Sequence, residues 1–392
     1  MKETFVVHIE QLSRTVRRPI LFLTLALVSW AGMPKTAQAQ WTWKSVTVDK
    51  TGVSTSIAVD AHGDVHLGYG TDDGQVKYAF RQAGVSRWDT ITLSDGGVDF
   101  VSLALDATGS PHLCSTFHRL KYYAFNGTKW NVEEIAPDAA NIQYSCSLGI
   151  APDGTPHLAW YKVENADRSN YLHLKYGSLE NGVWAIHTVD FDMQTGKWDS
   201  LVVDSHGVPH LAYDAFVDGL MKYAVRTADG WNVSVVDARK PDSPEYNVGM
   251  GNALLLDAQG KAHISYYTTH TLRYAVQNGD TWTVQEVDHV PEPRSWLDSR
   301  TALVLDNEGN PHIVYQDGTA LKHAYWDGKQ WRFQYITPPG SDAHRFPSIA
   351  IDKDDTLYVS YRDPADSSLQ VAIGTPGGAP AAPASTDKKE TH

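Results

Sequence analysis

The 392-residue sequence predicts an all-β chain folded as a closed ring of seven four-stranded antiparallel sheets. Three observations carry that expectation. A unit of similar length recurs seven times. Each unit holds four short runs with period-2 apolar alternation. The last unit lacks its fourth run, and the sequence just after residue 40 supplies one.

The unit is a strand ending in Asp, a Gly turn, Pro-His-Leu-x-Tyr, Leu-Lys-Tyr-Ala, and a Trp followed by alternating apolar residues. Its clearest copy runs Leu201-Val202-Val203-Asp204, Gly207, Pro209-His210-Leu211-Ala212-Tyr213, Met221-Lys222-Tyr223-Ala224 and Trp231 to Asp237. The His recurs at His66, His112, His157, His210, His263 and His312, with Tyr358 in its place in the seventh copy. The spacings are 46, 45, 53, 53, 49 and 46 residues. Asp stands six residues upstream at Asp60, Asp106, Asp204, Asp257, Asp306 and Asp352, with Ala151 as the exception. Four strands per unit, repeated seven times without helical periodicity, is the signature of a β-propeller.

Closure is read from the tryptophans. The fourth run carries Trp88, Trp130, Trp184, Trp231, Trp282 and Trp331, and none follows Leu369-Gln370-Val371-Ala372-Ile373. Trp43-Lys44-Ser45-Val46-Thr47-Val48-Asp49 supplies the missing strand. That segment is expected to pair into the last blade and hide the edges an open array would expose.

Three regions follow. Residues 1–39 read as an export signal: basic residues ending at Arg17-Arg18, an apolar run from Ile20 to Val28, and a small-x-small site at Ala37-Gln38-Ala39. Residues 40–374 are the propeller, and 375–392 form a Gly/Pro/Ala-rich tail expected to be disordered. The expected location is secreted or periplasmic, with no membrane span once the signal is removed, and a monomeric chain.

Composition narrows function. The chain is 42% hydrophobic and 20% charged, which sets it apart from disordered sequences. Its net charge of -13 becomes more negative without residues 1–39, which carry five basic and two acidic side chains. Such a surface repels phosphate backbones, so no nucleic-acid partner is expected. No dinucleotide fingerprint, P-loop or His-Glu-x-x-His occurs, and no cofactor or metal is expected. Cys114 and Cys146 lie in adjacent units, and spacing leaves open whether they are bonded.

Residues repeated around a ring are expected to be structural. The His should bond a backbone group or the repeated Asp, and the repeated Trp and Tyr should pack. Function is sought where copies differ, in segments preceding first strands and following second strands. These collect Tyr144, Trp198, Asp199, Tyr246, Trp296, Arg300, His344 and Arg345 on one face. Aromatic planes beside planar hydrogen-bonding groups suit sugars, whose C–H faces stack while their hydroxyls need partners. The same aromatics could equally plug the channel mouth. No catalytic residue is assigned.

The Asp-x-x-Gly-x-Pro-His-Leu/Ile-x-Tyr unit with Leu-Lys-Tyr-Ala resembles the repeats of secreted bacterial β-propellers, grouped with sialidase-like (BNR-type) and fucose-lectin-like propellers. The resemblance spans 41–374. Turns such as Asn126-Gly127-Thr128-Lys129-Trp130 and Asp327-Gly328-Lys329-Gln330-Trp331 look like degenerate Asp-boxes without the leading Ser-x-Asp. A sialidase relative implies three arginines on a carboxylate, for which Arg300, Arg345, Arg119 and Arg362 are the available positions. No Tyr–Glu nucleophile pair matches. A propeller polysaccharide lyase implies a base and a cation, for which His344 or His118 with Arg345 or Arg300 are available. The resulting expectation is a binding module for a glycan or an envelope or extracellular protein. The alternatives are a polysaccharide lyase or sialidase-like glycosidase, or an envelope scaffold.

Overall fold

A computed structural model describes residues 41–117, 119–135, 145–163, 172–192, 194–241, 245, 247–291, 300–341 and 346–377. The export signal read in residues 1–39 lies outside them, as does most of the 375–392 tail. Thr375 itself ends a strand.

The described residues form seven four-stranded antiparallel sheets. Blades 1 to 6 span residues 55–94, 100–135, 147–188, 195–238, 248–289 and 302–335, in chain order. Blade 7 takes three strands from 348–375 and its outermost strand, Thr42–Asp49, from the other end of the chain. Thr42–Asp49 pairs with Leu369–Thr375, setting Trp43 opposite Gly374 and Val46 opposite Val371. The expected closure is therefore present. A Cβ on Gly374 would stand 2.7 Å from the Trp43 indole, so glycine is needed for the ring to lie there.

The first strand of each blade lines the channel. Serines at matching positions stitch these strands together. Ser56 accepts from the Leu103 N–H at 3.0 Å, Ser147 from Leu201 at 2.8 Å, Ser200 from Leu254 at 3.0 Å and Ser348 from Ile57 at 3.2 Å. Each bond crosses from one blade to the next and satisfies a buried donor. Ala253 and Ala302 break the pattern. There Thr301 bridges instead, its N–H and hydroxyl both donating to the Gly251 carbonyl.

The repeated His is structural, as expected, but its partners are more specific than the sequence indicates. His66, His112, His157, His210 and His263 each bond a Tyr hydroxyl on the third strand through Nδ1. In four of these blades and in blade 6, Nε2 faces the repeated Asp at 3.2–3.8 Å. The Tyr thus supplies a hydrogen bond as well as packing. Its ring meets the next blade's Trp edge-on: Tyr122 with Trp184 at 5.4 Å, Tyr176 with Trp231 at 5.0 Å, Tyr223 with Trp282 at 5.1 Å. Such pairs contribute roughly 0.5–1.5 kcal/mol each beyond area burial.

A second repeated clasp uses the remaining motif residues. The Asp closing one blade's fourth strand receives the Tyr of Pro-His-Leu-x-Tyr and the cation of Leu-Lys-Tyr-Ala from the next blade. Asp49 takes Tyr69 and Lys77, Asp190 takes Tyr213 and Lys222, Asp237 takes Tyr266 and Arg273. Arg362 and Asp72, 3.0 Å apart, add a further tie between blades 7 and 1. Cys114 in blade 2 and Cys146 just before blade 3 form a disulfide with a Cα separation of 6.3 Å, which settles the open pairing.

Removing Asp237 leaves the buried Arg273 guanidinium with only the exposed Glu286 carboxylate, 3.2 Å away, as its partner. Asp237→Ala is therefore expected to lower global stability by about 3 kcal/mol, read by urea denaturation. A loss under about 1 kcal/mol would show that the clasp behaves as a surface ion pair.

Candidate functional site at the channel mouth

The first strands of blades 4 and 5, Thr195–Val203 and Val248–Leu256, are each nine residues long, against four in blades 3, 6 and 7. The extra length carries bulges: the register slips between Thr195 and Asp199, and twice between Val248 and Ala253. From sequence, Trp198, Asp199 and Tyr246 are expected in segments preceding the first strands, Gly196 to Ser200 and Tyr246 to Asn252. The structure instead makes most of both stretches irregular strand. Gly196, at φ 85°, permits the first bulge, and a Cβ there would meet Leu174 at 2.7 Å. Bulges re-aim side chains next to functional sites.

This bulge turns Trp198 and Asp199 in opposite directions. Trp198 is 3% exposed and packs with Met250, Tyr267 and Leu272. Its indole is core, and its backbone carbonyl accepts from Asn252 Nδ2 at 2.9 Å. Asp199 faces the channel, buried, with neither carboxylate oxygen hydrogen-bonded. Burial raises its carboxyl to about 6, against the opposing pull of the Arg300 guanidinium. Asp214 lies behind it and accepts from the Trp198 N–H at 3.1 Å. Burial pushes Asp214 up to about 7 despite that bond and nearby Lys197.

Arg300 reaches the mouth from the start of blade 6. Its guanidinium carbon sits 4.7 Å from the Phe100 ring centroid of blade 2, and Phe100 meets Phe346 edge-on at 5.6 Å. Burial lowers the Arg300 pKa, and Asp199 opposes that shift. Its Nε and Nη2 are buried without hydrogen-bond partners. Ser145 Oγ and Asn252 Oδ1 are in the same state. The adjoining cavity, of about 190 Å³, is lined by Asp199, Asn252, Arg300 and the serine ring. Buried polar groups without partners are rare in folded chains. Four residues that carry them stand at this mouth: Ser145 just before blade 3, Asp199 in blade 4, Asn252 in blade 5 and Arg300 at the start of blade 6.

Of the eight sequence-selected residues, the structure brings Asp199 and Arg300 together at the mouth and puts Trp198 into the core. Tyr144, Tyr246, Trp296, His344 and Arg345 lie outside the described residues, as does His118. Arg119 pairs with Glu134 within blade 2, and Arg362 is held by Asp72 and Ser367. Ser145, Asn252, Asp214 and Phe100 were not selected. The first three stand in the variable segments already singled out, so their polarity was the available signal. Phe100 opens a strand and reads as ordinary core.

These sheets and this mouth define a seven-bladed β-propeller with one asymmetric polar opening. No family profile matches the chain. No curated protein matches it either. Solved structures do. The BP39L lectin from Burkholderia pseudomallei is similar at a TM-score of 0.60 and 12% identity, covering 84% of this chain and 99% of that one. The polysaccharide lyase Uly1 is similar at 0.54 and 11%, covering 86% and 99%. The six-bladed fucose-recognising lectin from the fungus Aleuria aurantia is similar at 0.53 and 14%, covering 76% and 99%. At these identities the likeness is one of fold.

The two raised carboxyls have a stability consequence. A carboxyl whose folded-state pKa lies above its unfolded value holds its proton more tightly when folded. It carries no penalty below the ordinary value of 3.8 and destabilises the fold increasingly as pH rises through about 6 and 7. Asp214→Asn is therefore expected to raise Tm at pH 8 by about 2–4 °C or more and to leave it unchanged at pH 4. An equal change at both pH values in calorimetry would contradict the assigned cause.

Proposed function

We propose that the chain is a carbohydrate-binding propeller that takes its glycan at the channel mouth. The observation that carries this reading is the cluster of buried, unpartnered polar atoms on Asp199, Arg300, Ser145 and Asn252, of which Asp199, Arg300 and Asn252 line a polar cavity. A carboxylate, a guanidinium, an amide oxygen and a hydroxyl together accept from and donate to vicinal hydroxyls. The ligand groups would complete hydrogen bonds that the folded chain leaves unmade, which is where binding specificity is strongest. Propellers of this fold include lectins, which agrees with the reading. The four residues occur once around the ring, in favour of one central site over a repeated set. Export directed by residues 1–39 would place that site in the periplasm or outside the cell.

A lyase or glycosidase is the second reading, favoured by one feature. Asp199 titrates near 6 beside a cation, within the range a general acid or base needs. A screen that reads both retention and product release separates the two.

Asp199→Ala and Arg300→Ala are each expected to weaken glycan retention tenfold or more, about 1.4 kcal/mol, with the far-UV spectrum of a β-sheet protein unchanged. Unaltered retention of an identified glycan by both variants would move the site elsewhere. Loss of product formation along with retention would establish the enzymatic reading.

A further inference from the structure

One blade lacks the Asp that the other six place at the head of this motif on the opposite face. In the other six units the Asp Oδ1 accepts two backbone N–H groups of its own turn, as Asp204 does from His206 and Val208. In the blades with His, Oδ2 of the same Asp faces that His. Blade 3 has Ala151 at this position. Its turn is nonetheless closed as in the others: Ala151 N–H donates to the Thr155 carbonyl at 2.8 Å, and Gly154 N–H to the Ala151 carbonyl at 2.9 Å. Asp153 accepts from the Thr155 N–H at 2.9 Å, replacing one of the two lost bonds. The Asp153 N–H makes no hydrogen bond to another described residue. His157 keeps its Tyr bond through Nδ1; with the Tyr176 hydroxyl donating there, Nε2 carries the proton, and among the described residues no carboxylate stands within ion-pair distance of it.

A recess of about 330 Å³ lies between blades 3 and 4, lined in part by Ala151, Asp153, His157, His187, His206 and Arg226, where the repeated Asp side chain is absent. Arg226 is half-buried, its guanidinium 5.6 Å from the Trp231 ring. We propose that this recess is a second ligand site for a small carboxylate, seated where the other blades carry their own Asp side chain. One ligand oxygen accepts from His157 Nε2–H and the other from the Asp153 N–H. Arg226 supplies the adjacent positive charge. The Glu180 carboxylate, which accepts from Ser178 at 2.8 Å, and the Asp153 carboxylate are both exposed. Solvent screens them, and they select a single carboxylate over a polyanion. The chemistry is that of a free small acid or of one uronate.

The test uses Ala151→Asp, which restores the residue six other units carry at this position and so is compatible with the fold. Side-chain nitrogen spectra of the full chain, with His157 assigned through His157→Gln, are followed on adding acetate, glucuronate or glucose. Both acids are expected to move the His157 Nε2 signal saturably in the wild type, and glucose is not. A lower half-saturation for glucuronate assigns the sugar acid as the source, and equal values assign the bare carboxylate. In Ala151→Asp the signal should be insensitive to both acids, and Tm should rise. An unmoved wild-type signal, an equal response in Ala151→Asp, or an equal response to glucose overturns the proposal.

Discussion

The pairing of Thr42–Asp49 with Leu369–Thr375 is the constraint on which the rest depends. A four-stranded blade is too small to bury both faces alone, and each relies on its neighbours. Seven such dependencies close into a ring only if the last blade is complete. The chain completes it by joining residues more than 300 positions apart. Trp41 and Trp43 then pack against His323 of blade 6, while Asp49 takes the Tyr69 and Lys77 clasp of blade 1. The closing strand therefore touches both neighbours of its blade, with the same contacts that hold the other interfaces.

The repeat devotes its motif to those interfaces. Asp, His, Tyr and Trp form one chain of contacts on one side of each junction, and Asp, Tyr and Lys form another. With the ring held this way, residues near the channel are free to differ. The differences concentrate in blades 4 to 6, where two first strands lengthen through bulges and Thr301 replaces the serine stitch. Asp199 and Arg300 face one another because bulged strands and a substituted stitch put them there. Ala151 is the corresponding departure on the far side, where the motif drops one of its own residues beside a recess between two blades.

The strands, the number of blades and the closing segment were legible in the sequence because they rest on period-2 alternation and on repeated residues. The structural role of His66 and its counterparts was legible for the same reason. The Tyr hydroxyl as its partner was not, since spacing along the chain does not show which atom of a neighbouring strand lies opposite. That Asp199 and Arg300 stand at the mouth was legible from the variable segments that carry them. Trp198 was misplaced because the strand carries two extra residues between Thr195 and Asp199 relative to its partner, and within that bulge simple alternation does not tell which way a side chain points. Composition alone does not reveal where such a slip occurs. Gly196 and Gly249, both at positive φ, are the residues that permit it.

The central claim is that the ring is one cooperative unit closed by its first strand. Native-state hydrogen exchange tests it most directly. The amides within Lys44 to Thr47 that donate to the Leu369–Thr375 strand should exchange with the same opening free energy as those of the buried strand Pro209–Ala215, on the opposite side of the ring, and should follow it across denaturant concentrations. Exchange of Lys44 to Thr47 at a distinctly lower free energy, with Pro209–Ala215 still protected, would contradict it. The closing strand would then be a detachable flap on a ring that stands without it.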